Sequence, residues 1–185
     1  DIATQEAPLP KKAWFPLSQH IGAPAKPVVK KGDIVMVGTL LAEAGGFVSA
    51  PVHSSVSGVV SKVDVVTDAS GYRKPAIIID VEGDECLPAI DRSSTLETLD
   101  QHPELTPETI VKRVKDAGVT GMGGAGFPTF IKLTPPPGAK AECVILNGVE
   151  CEPYITSDYR LMLEHADEIV VGLELLMKAV NVEKG

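Results

Sequence analysis

Two hydrophobic periods divide the chain. Up to about residue 85, short apolar runs alternate with turn residues; beyond about residue 105, apolar positions recur at helical spacing. Residues 28–29, 33–37, 40–43, 47–50, 58–65 and 76–81 read as β-rich pieces. Lys31-Gly32-Asp33, Gly38, Gly45-Gly46, Ala50-Pro51 and Ala69-Ser70-Gly71 separate them as turns. Val63 and Val65 alternate with Lys62 and Asp64, the pattern of a strand buried on one face. Several short strands at close spacing predict a small barrel or sandwich.

Residues 87–105 are polar and turn-prone, with Asp91-Arg92-Ser93-Ser94-Thr95 and Gln101-His102-Pro103, and read as a linker. The period then changes. Thr106-Pro107-Glu108 offers a capping hydroxyl, a proline at the first helical position and a first-turn acid. Ile110, Val111 and Val114 face one way, and Gly118 is placed to stop the helix. Residues 141–146 read as a buried strand. Ser157 can cap a helix over 158–164, and a further helix covers 167–180. In the latter Ile169, Leu173, Leu176, Met177 and Val180 share one face, predicted to be core.

The segment from Val29 to Glu43, followed by Ser49-Ala50-Pro51 and Ser57-Gly58-Val59-Val60, resembles the biotinyl/lipoyl barrel-sandwich fold. Carriers of that fold place a lysine on the hairpin between the two segments. Here the hairpin reads Gly45-Gly46-Phe47, so the scaffold is expected without a swinging arm. The fold class expected is α/β in two domains. An all-β barrel-sandwich hybrid spans 1–86, the linker 87–105, and an α/β flavin-binding fold starts at 106 and continues to 185, where it is truncated.

The 185 residues are 44% hydrophobic and 23% charged, as in soluble globular proteins. Aromatics are sparse at 4%, so the core must come from Val, Ile, Leu and Ala. A formal charge of −8 without Lys/Arg runs argues against nucleic acid or an anionic lipid surface as a partner. Cys86, Cys143 and Cys151 are widely spaced and form no C-x-x-C, so a cluster or zinc signature is absent from these residues. No apolar run reaches the roughly 20 residues of a membrane span. Both ends read as cut points in a longer protein.

The candidate chemistry lies in Gly121-Met122-Gly123-Gly124-Ala125-Gly126-Phe127-Pro128 and in Asn147-Gly148-Val149-Glu150-Cys151-Glu152-Pro153-Tyr154. A backbone of Gly121, Gly123, Gly124 and Gly126 can turn sharply and press N–H groups against an anion. Phe127 supplies a ring for stacking and Lys132 a charge. The glycines formally match a dinucleotide fingerprint, but that needs a strand before and a long helix after. Here a helix precedes, and Pro135-Pro136-Pro137 permits only a short turn over 129–133, which excludes a standard Rossmann unit. Asn147 can meet both donor and acceptor edges of a flavin or base. Glu150 or Glu152 could hold a ribose or carboxamide, and the plain alternative is a turn into a helix with exposed acids. Cys151 beside acids is no activated thiolate. His20, His53, His102 and His165 show no metal-ligand spacing.

Taken together with Pro16-Leu17-Ser18-Gln19-His20-Ile21-Gly22-Ala23-Pro24 and Ala50-Pro51-Val52-His53-Ser54-Ser55-Val56-Ser57-Gly58, these motifs resemble the C subunit of the Rnf ion-translocating electron-transport complex. The second half is also similar to the NADH-oxidising flavin subunit of respiratory complex I. The resemblance implies a peripheral subunit on the cytoplasmic side of the bacterial inner membrane. It implies NADH oxidation through non-covalent FMN, with electrons leaving through 4Fe-4S clusters held by a carboxy-terminal part beyond residue 185. The implied partners are NADH, ferredoxin and the other subunits of the complex, and the implied coupling is to Na⁺ or H⁺ movement. By position, Gly121, Gly123, Gly124 and Gly126 would face FMN phosphate and NADH. Phe127 would stack on the nucleotide and Lys132 would balance phosphate. Asn147 and Glu150 would hold the flavin, and Glu152 would orient NADH. These residues alone are expected to bind FMN weakly or not at all, and to be inactive. Two alternatives share some of the motifs: a cobalamin-reductase-type flavoprotein of a microcompartment, and a docking module with a vestigial flavin site. Val149, where the flavin protein of complex I has an acid, keeps the second open.

Overall fold

In the computed structural model, which describes residues 2–67 and 71–185, the β-rich part folds into two antiparallel sheets. Strands β1 (Lys12–Pro16), β7 (Arg73–Gly83), β6 (Ser57–Thr67) and β3 (Ile34–Val35) form one, in that order. Strands β2 (Lys26–Pro27), β4 (Leu40–Glu43) and β5 (Val52–His53) form the other. Phe15, Val35, Leu41, Val60, Ile77 and Ile79 fill the core of this part. Ile77 and Ile79 are two apart on β7 and so point to the same face. Leu41, Val60, Ile77 and Ile79 are fully buried, and each such side chain contributes about 1.5–3 kcal/mol. The chain is mixed α/β as expected: a β part of two sheets, then a part whose described residues form helices.

Several strand limits differ from the sequence reading. Residues 47–50 form no strand. Their backbone groups pair outside any ladder: the Val48 carbonyl accepts the Ala23 N–H at 2.9 Å and the Ala50 N–H donates to His20 Nε2 at 3.2 Å, while Ser49 Oγ accepts the Gly45 N–H at 2.9 Å and its hydroxyl donates to the Ala23 carbonyl at 2.8 Å. The strand in this region is β5, two residues further on. Residues 28–29 give way to β2 at Lys26–Pro27. The sequence pattern does not predict strand β1. It pairs with β7 from Lys12↔Asp80 to Pro16↔Ala76, a partner distant in sequence. Val63 and Val65 are 40% and 43% exposed rather than buried on one face, although both lie in register with β7, opposite Ile77 and Pro75. The predicted turn at Ala69-Ser70-Gly71 falls partly outside the described residues.

The hairpin that would carry a lysine in a carrier protein is held close to its neighbours. Phe47 is 79% exposed at its tip, and a Cβ on Gly45 would lie 1.9 Å from the Pro24 carbonyl oxygen. The chain offers no lysine there.

The helical part contains α1 (Pro107–Asp116), α2 (Thr129–Lys132), α3 (Ser157–Glu164) and α4 (Ala166–Val180). Leu105, Ile110, Leu133 and Ala179 are buried together, with Val111, Val114, Leu175, Leu176 and Val180 packed against them. On α4 the packed face therefore runs through Leu175, Leu176, Ala179 and Val180, while Ile169, Leu173 and Met177 are half-buried. The linker carries a 3-10 turn at Leu99–Gln101, started by Thr98, whose N–H donates to Gln101 Oε1 at 2.6 Å.

Residues 141–146 are not a strand. Ile145 is 83% and Leu146 52% exposed, and the segment has no ladder partner among the described residues. A strand persists only as part of a ladder that satisfies its backbone groups. Here one tie is formed, from Val144 N–H to the Lys184 carbonyl at 3.0 Å.

By contacts the chain groups into two units. One joins Ala7–Ser93 to Lys115–Thr129; the other joins Ser94–Val114 and Phe130–Gly185 to part of the segment ending at Glu6. The glycine segment is thus grouped with the β part. No helix among the described residues is long and apolar enough to cross a membrane.

Candidate functional site

Helix α1 ends where the sequence places its stop. Gly118 has φ of +70°, and its N–H donates to the Lys115 carbonyl at 3.1 Å. A left-handed residue here releases the chain from the helix and opens the glycine segment. That segment is a closed loop. Thr129 N–H donates to the Val119 carbonyl at 3.0 Å and Gly121 N–H to the Phe127 carbonyl at 3.1 Å, with a bridge between Thr120 and Pro128. Pro128 is fully buried and anchors the base of the loop. At the tip, Met122 is 94% exposed, and a Cβ on Gly124 would meet nothing within 4 Å. Open space over a glycine turn is room for a ligand to approach the backbone.

The loop is seated on the β part. Ile21 N–H donates to the Gly126 carbonyl at 3.3 Å. Gly126 has φ of +65°, and a Cβ there would lie 3.2 Å from the Gln19 carbonyl oxygen. Between them lies a cavity of about 700 Å³. Buried Phe15, Ala50 and Val52 line it, together with Ala125 and Gly126 from the loop. His20 stiffens one wall: its Nδ1–H donates to the Ile21 carbonyl at 3.0 Å and its Nε2 accepts the Ala50 N–H at 3.2 Å. His53, on β5, also lines the cavity, and burial pushes its imidazole below the usual histidine range. The sequence alone assigns His53 no role. Its signal is the run Pro51-Val52-His53-Ser54-Ser55, whose placement beside the glycine segment depends on contacts remote in sequence.

The remaining candidates fall in the other unit. Lys132 is the last residue of α2 and is exposed. Asn147 Oδ1 accepts the Val149 N–H at 3.0 Å, which shapes the loop and leaves the amide hydrogens of Asn147 available to a ligand. Glu150 Oε1 accepts both the Ser157 hydroxyl and the Asp158 N–H at 3.0 Å. Its carboxylate thereby caps α3. Despite some burial, which opposes the effect, those hydrogen bonds hold it below the usual carboxylate range. The cap expected from Ser157 is not formed: Thr156 is the residue before the helix, and its side chain makes no capping bond. Glu152 is exposed, as is Tyr154, whose φ of +69° is a strained backbone for a non-glycine residue. The nine candidates thus divide: Gly121, Gly123, Gly124, Gly126 and Phe127 lie in the β-containing unit, and Lys132, Asn147, Glu150 and Glu152 in the other. Among the described residues no group of His, Cys, Asp and Glu is placed to hold a metal ion.

Two family models match the chain. The RnfC barrel sandwich hybrid domain matches residues 1–84, and the Nuo51 FMN-binding domain matches residues 114–185. The chain is 48% identical over 189 aligned residues to the C subunit of the Na⁺-translocating ferredoxin:NAD⁺ oxidoreductase complex of Acetobacterium woodii, covering 99% of this chain and 41% of that protein. It is 44% identical to the C subunit of the proton-translocating ferredoxin:NAD⁺ oxidoreductase complex of Clostridium ljungdahlii, covering 96% and 38%. To the C subunit of the ion-translocating oxidoreductase complex of Pseudomonas aeruginosa it is 38% identical, covering 99% and 23%. The chain thus spans about two fifths or less of the length of these curated relatives. With an RnfC-type barrel followed by a Nuo51-type flavin fold, and with relatives of one kind along nearly its whole length, the chain belongs to the RnfC family of electron-transport proteins.

Proposed function

We propose that the chain is the flavin-proximal part of a peripheral, cytoplasm-facing subunit that takes electrons from NADH through FMN in an ion-translocating complex. In this reading the complex exchanges electrons with ferredoxin and couples the transfer to Na⁺ or H⁺ movement. Relatives named for ferredoxin:NAD⁺ oxidoreduction and for Na⁺ or proton translocation support it. Residues 1–86 form the barrel-sandwich, 87–105 the linker and 106–185 the start of the flavin domain.

The observation that carries the reading is the closed glycine loop with free space over Gly124, inside a segment matched by an FMN-binding domain. The residues fit such a ligand. Backbone N–H groups of Gly121, Gly123, Gly124 and Gly126 would face phosphate, Phe127 would lie against a ring, and Lys132 would supply positive charge. Asn147 has amide hydrogens left to donate to a flavin edge, and Glu152 is exposed and able to orient NADH. Glu150 acts differently from a plain flavin ligand. Its Oε1 is committed to the start of α3, so it would hold the flavin through Oε2 while fixing the loop. Bound FMN would let a two-electron donor be linked to one-electron carriers. Iron–sulfur clusters are assigned to other parts of the subunit.

The RnfC-type barrel at residues 1–84 favours this reading over the cobalamin-reductase alternative. The test is Gly124→Val in the full-length subunit. A valine side chain would occupy the space over the turn. Flavin absorbance should be lost on gel filtration while the melting temperature stays within about 2 °C, because no protein atom lies near that Cβ. Unchanged flavin content would remove the loop from the site.

A further inference from the structure

The cavity between the glycine loop and the β part has an unusual lining for this chain. Charged residues make up 23% of the sequence, yet among the described residues no Lys, Arg, Asp or Glu lines the cavity. Its polar groups are uncharged: the hydroxyls of Ser18, Ser55 and Thr120, the amide of Gln19 and the imidazoles of His20 and His53. Its floor is apolar, with Phe15 6%, Ala50 2% and Val52 6% exposed. At about 700 Å³ it lies within the usual range for small-ligand pockets, roughly 300–1,000 Å³.

The floor of this cavity, apolar and without a cation, favours an uncharged group over a phosphate. A phosphate set against Phe15, Ala50 and Val52 would lose its hydration and gain little in return, whereas one at the glycine rim would meet the backbone N–H groups of the loop. A flat, neutral ring with an amide or imide edge meets every requirement: apolar faces for the floor, and donors and acceptors along the rim. The two histidines differ in what they can offer. His20 uses both ring nitrogens on the backbone of Ile21 and Ala50, so it is structural. His53 is half-buried, and burial alone displaces its pKa, downward, with no hydrogen bond or neighbouring charge contributing. A neutral imidazole presents one donor and one acceptor, the complement of a carboxamide.

We propose that this cavity seats an uncharged planar ring with an amide or imide edge, that His53 is its hydrogen-bonding partner, and that the β part is therefore one wall of the binding site rather than a scaffold. The inference rests on the flavin and NADH reading above and deepens it. Two ligands of that reading share the chemistry: the nicotinamide ring of NADH and the ring system of FMN. Each carries its phosphates away from the ring, so the charged part can lie toward the glycine backbone while the neutral part occupies the cavity.

The test uses the full-length subunit with two variants. His53→Phe removes the donor and acceptor at similar size. Ser55→Trp fills the cavity from an exposed rim position and leaves the core untouched. Three equilibrium measurements are made on each: flavin retained after gel filtration, the Kd for NADH by fluorescence quenching, and the Kd for ADP-ribose, which lacks the nicotinamide ring. Loss of one buried hydrogen bond predicts about a tenfold weakening for the ring-bearing ligand with His53→Phe. ADP-ribose affinity should change less than about twofold with His53→Phe. A change confined to NADH identifies the nicotinamide ring as occupant; a change confined to FMN identifies the flavin. Either supports the proposal. If both variants leave FMN retention and NADH affinity unchanged while Gly124→Val abolishes flavin binding, the role of the β part is overturned and the functional reading stands. If Gly124→Val also leaves flavin in place, the functional reading fails with it.

Discussion

Two glycines near the site answer to different constraints, and the difference can be measured. Gly118 has φ of +70°, and a Cβ there would lie 2.4 Å from the Pro51 carbonyl oxygen. Gly118→Ala therefore combines backbone strain with a clash against main chain, which cannot rotate away. It should destabilise the protein by about 1–3 kcal/mol in urea unfolding. Gly124 meets nothing, and its replacement should alter binding and leave stability alone. A reversed outcome, with Gly118→Ala neutral, would mean that the turn after α1 relaxes freely. Acidic side chains show a similar division of labour. Glu164 accepts hydrogen bonds from the Thr4 N–H and from Arg160 Nε–H, each at 3.0 Å, and is held down to about 2 against an ordinary value of 4.5. Glu150 is tied to α3. The sequence alone shows both as acids on a polar stretch; which one caps a helix and which one fastens the chain near Thr4 depends on folded distances.

At the scale of elements, what can be read from the sequence tracks how local the cause is. Strand β4 at Leu40–Glu43 matches its predicted limits, and α1 stops at Gly118, because turn glycines and apolar runs beside them act over a few residues. Strand β1 is not legible because its ladder partner, β7, begins at Arg73 and its own sequence is flanked by lysines and prolines. Residues 141–146 are apolar enough for a strand but lack a ladder, so composition misleads. The linker offers a test of its own. His102 lies 2.6 Å from Glu97 and 3.0 Å from Glu104, and these carboxylates, Glu97 first, raise its pKa above 6.5. A raised folded pKa means that the charged imidazole is favoured by folding. Its contribution is complete below pH 6.5 and is lost as pH rises through the raised value. Hydrogen exchange at Gln101, His102 and Leu105, whose N–H groups close the turn, should therefore show less protection at about pH 9 than at about pH 6 after correction for intrinsic rates. Equal protection at both would show that the ion pairs do not hold the linker. His102→Gln should remove the pH dependence.

For the whole molecule, the grouping of Lys115–Thr129 with Ala7–Ser93 separates what folds the β part from what completes its cavity. Among the described residues, the core cluster of this unit lies between Ala13 and Val81, and the seven strands lie between Lys12 and Gly83. The glycine segment contributes the buried Pro128 to this unit but no member of that cluster. A chain of residues 7–93 alone should therefore fold cooperatively, with the amides of Val60, Ile77 and Ile79 strongly protected from exchange. Its amide resonances should match those of the longer chain except near Gln19, Ile21 and Ala50 to His53, where the loop is seated or the cavity begins. This shorter chain should have no measurable affinity for NADH or FMN, because the loop side of the cavity is gone. Unfolded spectra would show that the glycine segment is a structural part of the barrel. Folded spectra with resonance changes confined to those positions would show that the segment is laid onto a barrel already stable, which is the arrangement expected if the β part supplies one wall of a binding site and the glycine segment the other.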